Sequence, residues 1–304
     1  MTDQAVTPLT VTVPVAEPVL SRAEKSEFQK TVHRLTRNKG AVVGLILLLV
    51  VLLATVFAPA IAPFDPIEQD YGRVLEPPHM PYLLGTDQFG RDVFSRVLYG
   101  GRQSLQVAVI AILIAGGVGT FLGLVSGFFG GTIDNLIQRL IDMQLAFPGI
   151  LFAMAVVAVI GPGLRNAMIA VGISLIPSFA RMVRGSVLSV RENMYVEAAR
   201  VTGAREARII SAHILPNILA SVMVLSTVAI AWAILIGASL SFLGLGAQPP
   251  VPEWGLDLAL SREYLREAWW MSTFPGLAIM LTVVSVNLLG EGLRDALDPR
   301  MRSR

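Results

Sequence analysis

The residues best suited to a functional role in this chain lie in the segment 191–217. There the triplet Glu197-Ala198-Ala199 precedes Gly203, and Leu215-Pro216 follows. Glycine allows a sharp backbone turn that a side chain would resist, so we predict two short helices with a bend near Gly203. Proline disfavours a helical conformation for the residue before it, so we expect Leu215 to be extended. The small alanines would let a partner approach closely, and Glu197 would offer that partner a carboxylate.

Residues for catalysis are scarce elsewhere in the chain. The absence of cysteine excludes disulfides, thiolate metal sites and cysteine nucleophiles. The three histidines are far apart and outside the apolar runs, which leaves Ser239 without a partner base and makes an intramembrane serine enzyme a weak alternative. None of the three lysines follows a glycine-rich loop that could cradle phosphates. We therefore predict no catalytic, cofactor or metal site, and expect any ATP to bind to another chain.

The composition indicates a membrane protein, because 54% of the residues are hydrophobic and 15% are charged. Several apolar runs approach the roughly 20 residues that cross a hydrocarbon core of about 30 Å. The interiors of these runs hold no ionisable residues, which argues against a proton-coupled secondary transporter. The sequence predicts six transmembrane helices, over residues 41–62, 104–128, 149–160, 166–179, 218–243 and 271–289. An earlier start of the third helix, near residue 141, is the alternative.

The distribution of positive charge predicts the orientation of these helices. With both termini in the cytoplasm, 17 of the 24 lysines and arginines fall on cytoplasmic segments and 7 on outer ones. This bias follows the positive-inside rule, and the reverse orientation would contradict it. The resulting organisation has five parts: a partly disordered cytoplasmic tail (1–40), the first transmembrane helix (41–62), an extracytoplasmic loop with an interfacial helix (63–103), a five-helix core that includes 191–217 (104–293), and a cytoplasmic tail (294–304).

Three glycines recur every four residues in the second predicted span: Gly119, Gly123 and Gly127. Small residues at this spacing lie on one face of a helix and allow another helix to approach closely. We predict that this face packs against a neighbouring helix, with a loosely packed or hinge-like segment as the alternative.

Two segments resemble a known family. Residues 84–105, LGTDQFGRDVFSRVLYGGRQSL, are predicted as a turn followed by a short amphipathic helix over 93–105. They strongly resemble the segment that precedes the core of the second, C-type permease in the dipeptide/oligopeptide/nickel branch of ABC importers. A solvated interfacial hairpin is the alternative. The segment 191–217 resembles the EAA loop of the same family, although His213 stands where the family pattern often has isoleucine. The resemblance extends over roughly 86–298.

The resemblance implies an all-α, type I importer permease fold and a role for each residue of the loop. In that family the bent loop is a coupling helix that sits in a groove on the ATPase subunit. By this resemblance Glu197 is a polar anchor, Ala198 and Ala199 are close-packing positions, and Gly203 forms the bend. Leu215 and Pro216 connect the loop to the fifth span.

The family also implies partners. These are a second, related permease, two ATPase subunits that carry ATP and Mg, an extracytoplasmic solute-binding protein and the lipid bilayer of the plasma (inner) membrane. No nucleic acid is expected. The implied function is import of di- or oligopeptides, with nickel chelates or glutathione as alternative solutes. A stand-alone secondary transporter is an alternative of another class.

Overall fold

The structure, a computed structural model, describes residues 33–297. The described chain is nearly all helical, and its one extended pairing is a single bridge between Thr86 and Asp92. The prediction of an all-α membrane protein is confirmed. The predicted tail over residues 1–21, most of the basic segment after it, and residues 298–304 lie outside the described part of the chain.

The helices and helical turns follow one another in this order: α1 (Lys39–Val56), α2 (Ala58–Ile61), α3 (Val93–Phe129), α4 (Gly131–Leu145), α5 (Gly149–Ile160), α6 (Leu164–Arg191), α7 (Met194–Val201), α8 (Glu206–Ile209), a π-helical turn (Ile210–Ile214), α9 (Leu215–Phe242), α10 (Trp254–Ser261), a 3-10 turn (Arg262–Tyr264) and α11 (Trp270–Leu297). Residues 33–37 are also helical.

Five helical stretches are long and apolar enough to cross a membrane: α1, α3, α6, the continuous stretch Glu206–Phe242, and α11. A sixth crossing arises if α4 and α5, which meet at 93°, are counted as one broken span. The 12 residues of α5 rise about 18 Å, which is short of a hydrocarbon core of about 30 Å. The predicted third span over 149–160 therefore cannot cross alone and needs α4.

Two predicted helices have different bounds in the structure. The interfacial helix expected over 93–105 is the first part of the continuous α3. The pair Gly100-Gly101 lies inside this helix and does not end it. The two glycines leave room for neighbouring side chains, since an added Cβ on Gly101 would lie 2.2 Å from Thr55 and 2.8 Å from Trp254. The first predicted span breaks at Phe57, because a proline near the start of α2 cannot donate a hydrogen bond to the preceding turn.

The centre of the bundle is built from α3, α6 and α9, with α5, α10 and α11 against them, and its buried core includes Ala111, Val171 and Ile234. We name the two ends of the bundle after residues found there, the Gly203 end and the Asp257 end. At the Gly203 end, Asn38 donates to Asp295 over 3.2 Å. The start of α1 and the end of α11 therefore lie together, at the end of the bundle that holds the 191–217 loop.

The segment 84–105 forms a buried ionic cluster at the Asp257 end. The Arg91 Nε donates to Asp87 Oδ2 over 2.6 Å. Arg96 donates to Asp257 on α10 and, over 3.0 Å, to the carbonyl of Pro66. Arg91 is 1% exposed. The alternative of a solvated hairpin is therefore wrong, because this segment joins the loop before α3 to α10 through desolvated charges.

Two tryptophans fasten the same segment through single hydrogen bonds. Trp270 at the start of α11 donates to the carbonyl of Thr86 over 3.0 Å. Trp254 at the start of α10 donates to the carbonyl of Val97 over 2.9 Å. Asp92 caps α3 by accepting from the backbone amide of Ser95 at 2.8 Å. Burial raises the pKa of Asp92, while its bonds from Ser95 oppose that rise.

Glu253 is a buried carboxyl beside this cluster, 1% exposed. It accepts from the Ser104 hydroxyl over 2.8 Å and caps α10 by accepting from the Leu256 amide over 2.9 Å. Burial raises the pKa of Glu253, and these hydrogen bonds only partly oppose the rise. Burial likewise raises the pKa of Asp257, and Arg96 opposes it. The Asp257 end thus holds carboxyl groups whose charging is costly.

Candidate functional site

The 191–217 loop is attached to the bundle through the last turns of α6. Arg184 donates to both carboxylate oxygens of Asp134 on α4, at 2.7 and 2.6 Å. Arg191 donates to the carbonyl of Gly127 at 2.9 Å and so pairs with the free carbonyls at the end of α3. Two arginines therefore fix α6 to its neighbours immediately before the loop begins.

The loop packs on the bundle through a buried apolar cluster. Val196 of α7 and Ile209 of α8 have 0% and 1% exposure and contact Val183 and Val187 of α6. Ile214 joins the same cluster, where Ile218 of α9 continues it. A loop with this buried side is held against α6 and α9 rather than extended into solvent.

The predicted bend is present at Gly203, which has a φ of +80°. The Gly203 amide donates to the Arg200 carbonyl and the Ala204 amide to the Ala199 carbonyl, both at 3.0 Å. This pair of bonds is the Schellman motif, which ends a helix with one left-handed residue. A Cβ on Gly203 would meet nothing within 4 Å. The requirement for glycine here therefore comes from the backbone conformation alone.

The expectation of an extended Leu215 is wrong. Leu215 has φ −54° and ψ −47°, and its amide donates to the Ile210 carbonyl five residues earlier. The wider π-helical turn over Ile210–Ile214 carries the chain into α9 with Pro216 in its first turn, where a missing amide is tolerated. The loop and the span therefore form one continuous helical stretch, Glu206–Phe242.

The outer side of α7 is exposed and largely apolar. Met194 and Val201 are 85% and 82% exposed, and Tyr195 is 45% exposed. Glu197 is exposed on the same helix and, within the described chain, takes part in no ion pair. Ala198 is exposed, whereas the half-buried Ala199 packs on the loop's own cluster. Of the two alanines, Ala198 is the one open to a partner.

The profile of the family described as binding-protein-dependent transport system inner membrane component matches residues 119–303. The chain belongs to this family. A second profile, the N-terminal transmembrane domain of oligopeptide transport permease C, matches residues 26–78. The chain is thus an ABC importer permease of the dipeptide/oligopeptide branch, as the two segments had indicated, and a permease is a translocation component.

Relatives match the permease over almost its full length. It is 47% identical to the dipeptide transport system permease protein DppC of Alkalihalophilus pseudofirmus, with 91% of each chain covered. It is 42% identical to the di/tripeptide transport system permease protein DppC of Pseudomonas aeruginosa, covering 95% of this chain and 97% of that one. It is 44% identical to the glutathione transport system permease protein GsiD of Pectobacterium atrosepticum, with 96% of each covered.

Solved structures share the fold of the permease. An inward-facing native crystal form of the MetNI methionine ABC transporter aligns with 66% of this chain and 96% of its own, at a TM-score of 0.53 and 18% identity. A second crystal form, soaked with selenomethionine, aligns with 67% and 97% at a TM-score of 0.55. These likenesses bear on the fold alone.

The three recurring glycines of the permease lie along the contact of α3 with α6. An added Cβ on Gly119 would lie 2.5 Å from the Phe179 Cβ, and one on Gly123 would lie 2.4 Å from the Ala180 carbonyl oxygen. At Gly127 the nearest atom would be the Val187 Cβ, at 2.9 Å. The two helices approach so closely that no side chain fits between them at these levels.

The polar residues of α9 bond to their own helix. Ser226, Thr227 and Ser239 each donate to a carbonyl three or four residues earlier, at 2.7–2.8 Å. Ser241 instead accepts from the Ala247 amide at 3.1 Å and closes the turn after α9. The Ser239 hydroxyl donates to the Leu235 carbonyl, and within the described chain no histidine forms a hydrogen bond with it. Ser239 therefore lacks the arrangement of an activated nucleophile.

Proposed function

We propose that this permease is the translocation subunit of an ATP-driven peptide importer of the plasma (inner) membrane. Its partners are a second, related permease, two ATPase subunits that bind ATP and Mg, and an extracytoplasmic solute-binding protein. Both termini and the Gly203 end face the cytoplasm. The permease itself binds no nucleotide.

The observation that carries the proposal is the pairing of a packed inner side with an exposed outer side on α7. Val196 is fully buried against α6, while Met194 and Val201 are more than four-fifths exposed a few residues away. Exposed apolar residues on a single short helix, beside a carboxylate that has no ion pair within residues 33–297, fit a protein surface with an apolar groove and a basic group. The ATPase subunit is the partner of this chemistry that the family provides.

The orientation rests on charge and on connectivity. The predicted six-span topology assigns 17 lysines and arginines to the side of the 191–217 loop and 7 to the other, which fits a cytoplasmic loop. The contact of Asn38 with Asp295 keeps the described ends of the chain on the same side as that loop.

Motion of the ATPases would reach the solute path through continuous structure. The loop is fixed to α6 by the cluster around Val196, and it continues into α9 without a break in the helix. When ATP draws the two ATPases together, α7 would move with its partner, and α6 and α9 would have to follow. Such coupling requires that the contacts of α7 differ in free energy between the two states.

Peptides are the proposed solutes, because most of the named relatives are dipeptide or peptide permeases. Glutathione, itself a tripeptide, is the second candidate, supported by the 44% identity to a glutathione permease. Nickel chelates are a third candidate that rests only on the branch of the family.

The test is uptake by proteoliposomes that contain the complete transporter. Labelled dipeptide should accumulate only with ATP, the ATPases and the binding protein present, and unlabelled glutathione should compete if it is the better solute. Gly203→Val should abolish uptake while leaving membrane insertion intact, because a β-branched residue at positive φ costs on the order of 1–3 kcal/mol. Uptake by the isolated permease without ATP would overturn the proposal in favour of a secondary transporter.

A further inference from the structure

A hollow of ≈ 450 Å³ opens where α4 meets α5, between α6 and α9. We call it the α4–α5 hollow. Its lining includes four polar side chains, Gln144, Ser174, Ser178 and Ser239, and three aromatic ones, Phe147, Phe152 and Trp232.

The hollow lies within the depth of the membrane. The break between α4 and α5 lies about 18 Å from the Asp257 end, because the 12 residues of α5 separate the two. Ile173, which faces this break, lies nine residues, or about 14 Å, from the start of α6 at the same end. The whole of α6 is 28 residues, or about 42 Å long. A hydrocarbon core of about 30 Å placed on that helix includes the break.

The backbone at this break carries polar groups that lipid cannot satisfy. Two of the last α4 carbonyls, those of Asp142 and Gln144, accept hydrogen bonds from the amides of residues 146 and 147. The first amides of α5, at residues 149–151, have no backbone partner in the described chain, and Pro148 caps α5 without a side-chain hydrogen bond. Residues 145–149 are all exposed. Irregular backbone at membrane depth is tolerated only where protein covers it or water reaches it. We therefore expect protein or water, rather than lipid, against these amides.

A second irregularity lies directly opposite. Pro177 inside α6 has no amide to donate to the Ile173 carbonyl, and Gln144 of α4 donates to that carbonyl instead, at 2.7 Å. A side chain in the last turn of α4 thus completes the hydrogen bonding of α6. Two interrupted helices meet at one polar spot, which is how solute sites in membrane transporters are commonly built.

The chemistry of the lining selects among occupants. No lining residue is charged, and hydroxyl groups from α6 and α9 stand beside exposed aromatic rings, with Trp232 58% exposed and Phe147 60%. A neutral lining offers no charged partner to a strongly charged solute and so favours a net-neutral one. Amide and hydroxyl groups hydrogen-bond a peptide backbone of any sequence, and weak contacts let a solute leave again.

We propose that the α4–α5 hollow is a water-filled part of the translocation path, in which a short, net-neutral peptide contacts Ser178, Ser239 and Trp232. This assignment rests on the proposed function, since it takes the solute to be a peptide. It requires that neither lipid nor the second permease seals the hollow in the assembled transporter.

The cysteine-free sequence allows a direct test by single-cysteine labelling. Ser178→Cys and Ser239→Cys, which change little in size, are treated with a hydrophilic, membrane-impermeant thiol reagent in membranes that contain the complete transporter. Leu113→Cys is the matched control. It is 69% exposed on α3 and lies at the same depth, because Ile114 and the Ala111 carbonyl meet Gly172 of α6.

We expect both serine positions to react about tenfold or more faster than Leu113→Cys, because an apolar environment raises a thiol pKa and removes the reactive thiolate. A transported dipeptide should slow both reactions severalfold and leave the control unchanged. ATP-driven uptake by the same variants, measured separately, reports whether the proposed function itself fails.

Three outcomes would overturn the assignment. Reaction only with a lipophilic reagent would make this a lipid face. Reaction in the isolated permease but not in the complex would mean that a partner subunit covers the hollow. Fast reaction that no peptide slows would leave the hollow wet but outside the path of the solute.

Discussion

Replacing Gly123 by alanine tests how close α3 and α6 must be. The new Cβ would lie 2.4 Å from the Ala180 carbonyl oxygen and 2.8 Å from the Val183 Cβ. An ordinary contact between carbon and a carbonyl oxygen is about 3.3 Å. The two helices would therefore have to separate by close to 1 Å at this level, and the contacts above and below would loosen with them.

The energy of that separation can be isolated with a control in the same helix. Gly117 also lies inside α3, but nothing is within 4 Å of its added Cβ. Both Gly→Ala changes gain the same helix propensity, at most about 1 kcal/mol, so their difference reports packing strain alone. Overpacking a tight site costs about 1–3 kcal/mol, and the upper value applies where backbone atoms must move. We expect a difference near 3 kcal/mol.

The measurement is thermal unfolding of the purified permease in detergent. A difference of about 3 kcal/mol should lower the midpoint of Gly123→Ala by about 5 °C or more relative to Gly117→Ala, on the scale of soluble proteins of similar size. Gly119→Ala should resemble Gly123→Ala, and Gly127→Ala should be milder because its nearest atom is 2.9 Å away. Equal midpoints for Gly123→Ala and Gly117→Ala would refute the reasoning.

Three further perturbations address other parts of the molecule. Gly203→Ala should lower the stability of the loop by about 1–2 kcal/mol because Gly203 has a positive φ, and it should speed hydrogen exchange around residues 202–204. Gly185→Ala is the control, since Gly185 is equally uncrowded but helical and should show neither effect. Equal exchange in the two variants would contradict the left-handed turn. Glu197→Ala should weaken co-purification of the ATPase subunit, with Glu192→Ala as the exposed control, and unchanged co-purification and transport would remove the assigned anchor. Because burial raises the pKa of Glu253, its folded state is favoured when the carboxyl is protonated, and that stability is lost as pH rises from the ordinary pKa of 4.5 through the raised one. Glu253→Gln lacks this loss, so its melting temperature relative to the native protein should rise over that pH range; parallel profiles would count against a titrating Glu253.

Helices and turns that depend on local chemistry could be predicted from the sequence. The bend at Gly203 follows from the freedom of glycine at positive φ, and the structure has it there. The number of spans follows from apolar length alone, apart from the broken pair α4 and α5.

Features that depend on tertiary contacts could not be predicted. Leu215 is helical because a π-helical turn, which no local rule indicates, accommodates Pro216. A solvated hairpin was left open as the alternative for residues 84–105, and only the positions of Asp87 and Asp257 reveal that Arg91 and Arg96 are buried. The hydrogen bond from Gln144 to the Ile173 carbonyl joins residues that are 29 apart in the sequence. The sole sequence signal for it is Pro177, which has no N–H to donate to that carbonyl.

The way α1 packs along α11 limits how parts of such permeases can be exchanged. The two helices belong to segments matched by different family profiles, yet they interlock at two levels. A Cβ on Gly44 would lie 2.7 Å from the Ser285 carbonyl oxygen, and one on Gly292 would lie 2.3 Å from the Ala41 Cβ. A chimera that took its N-terminal helix from one relative and its core from another would assemble only if these small residues were transplanted as matched sets. The N-terminal helix α1 is thus complementary in shape to the α11 of its own chain and is not an interchangeable membrane anchor.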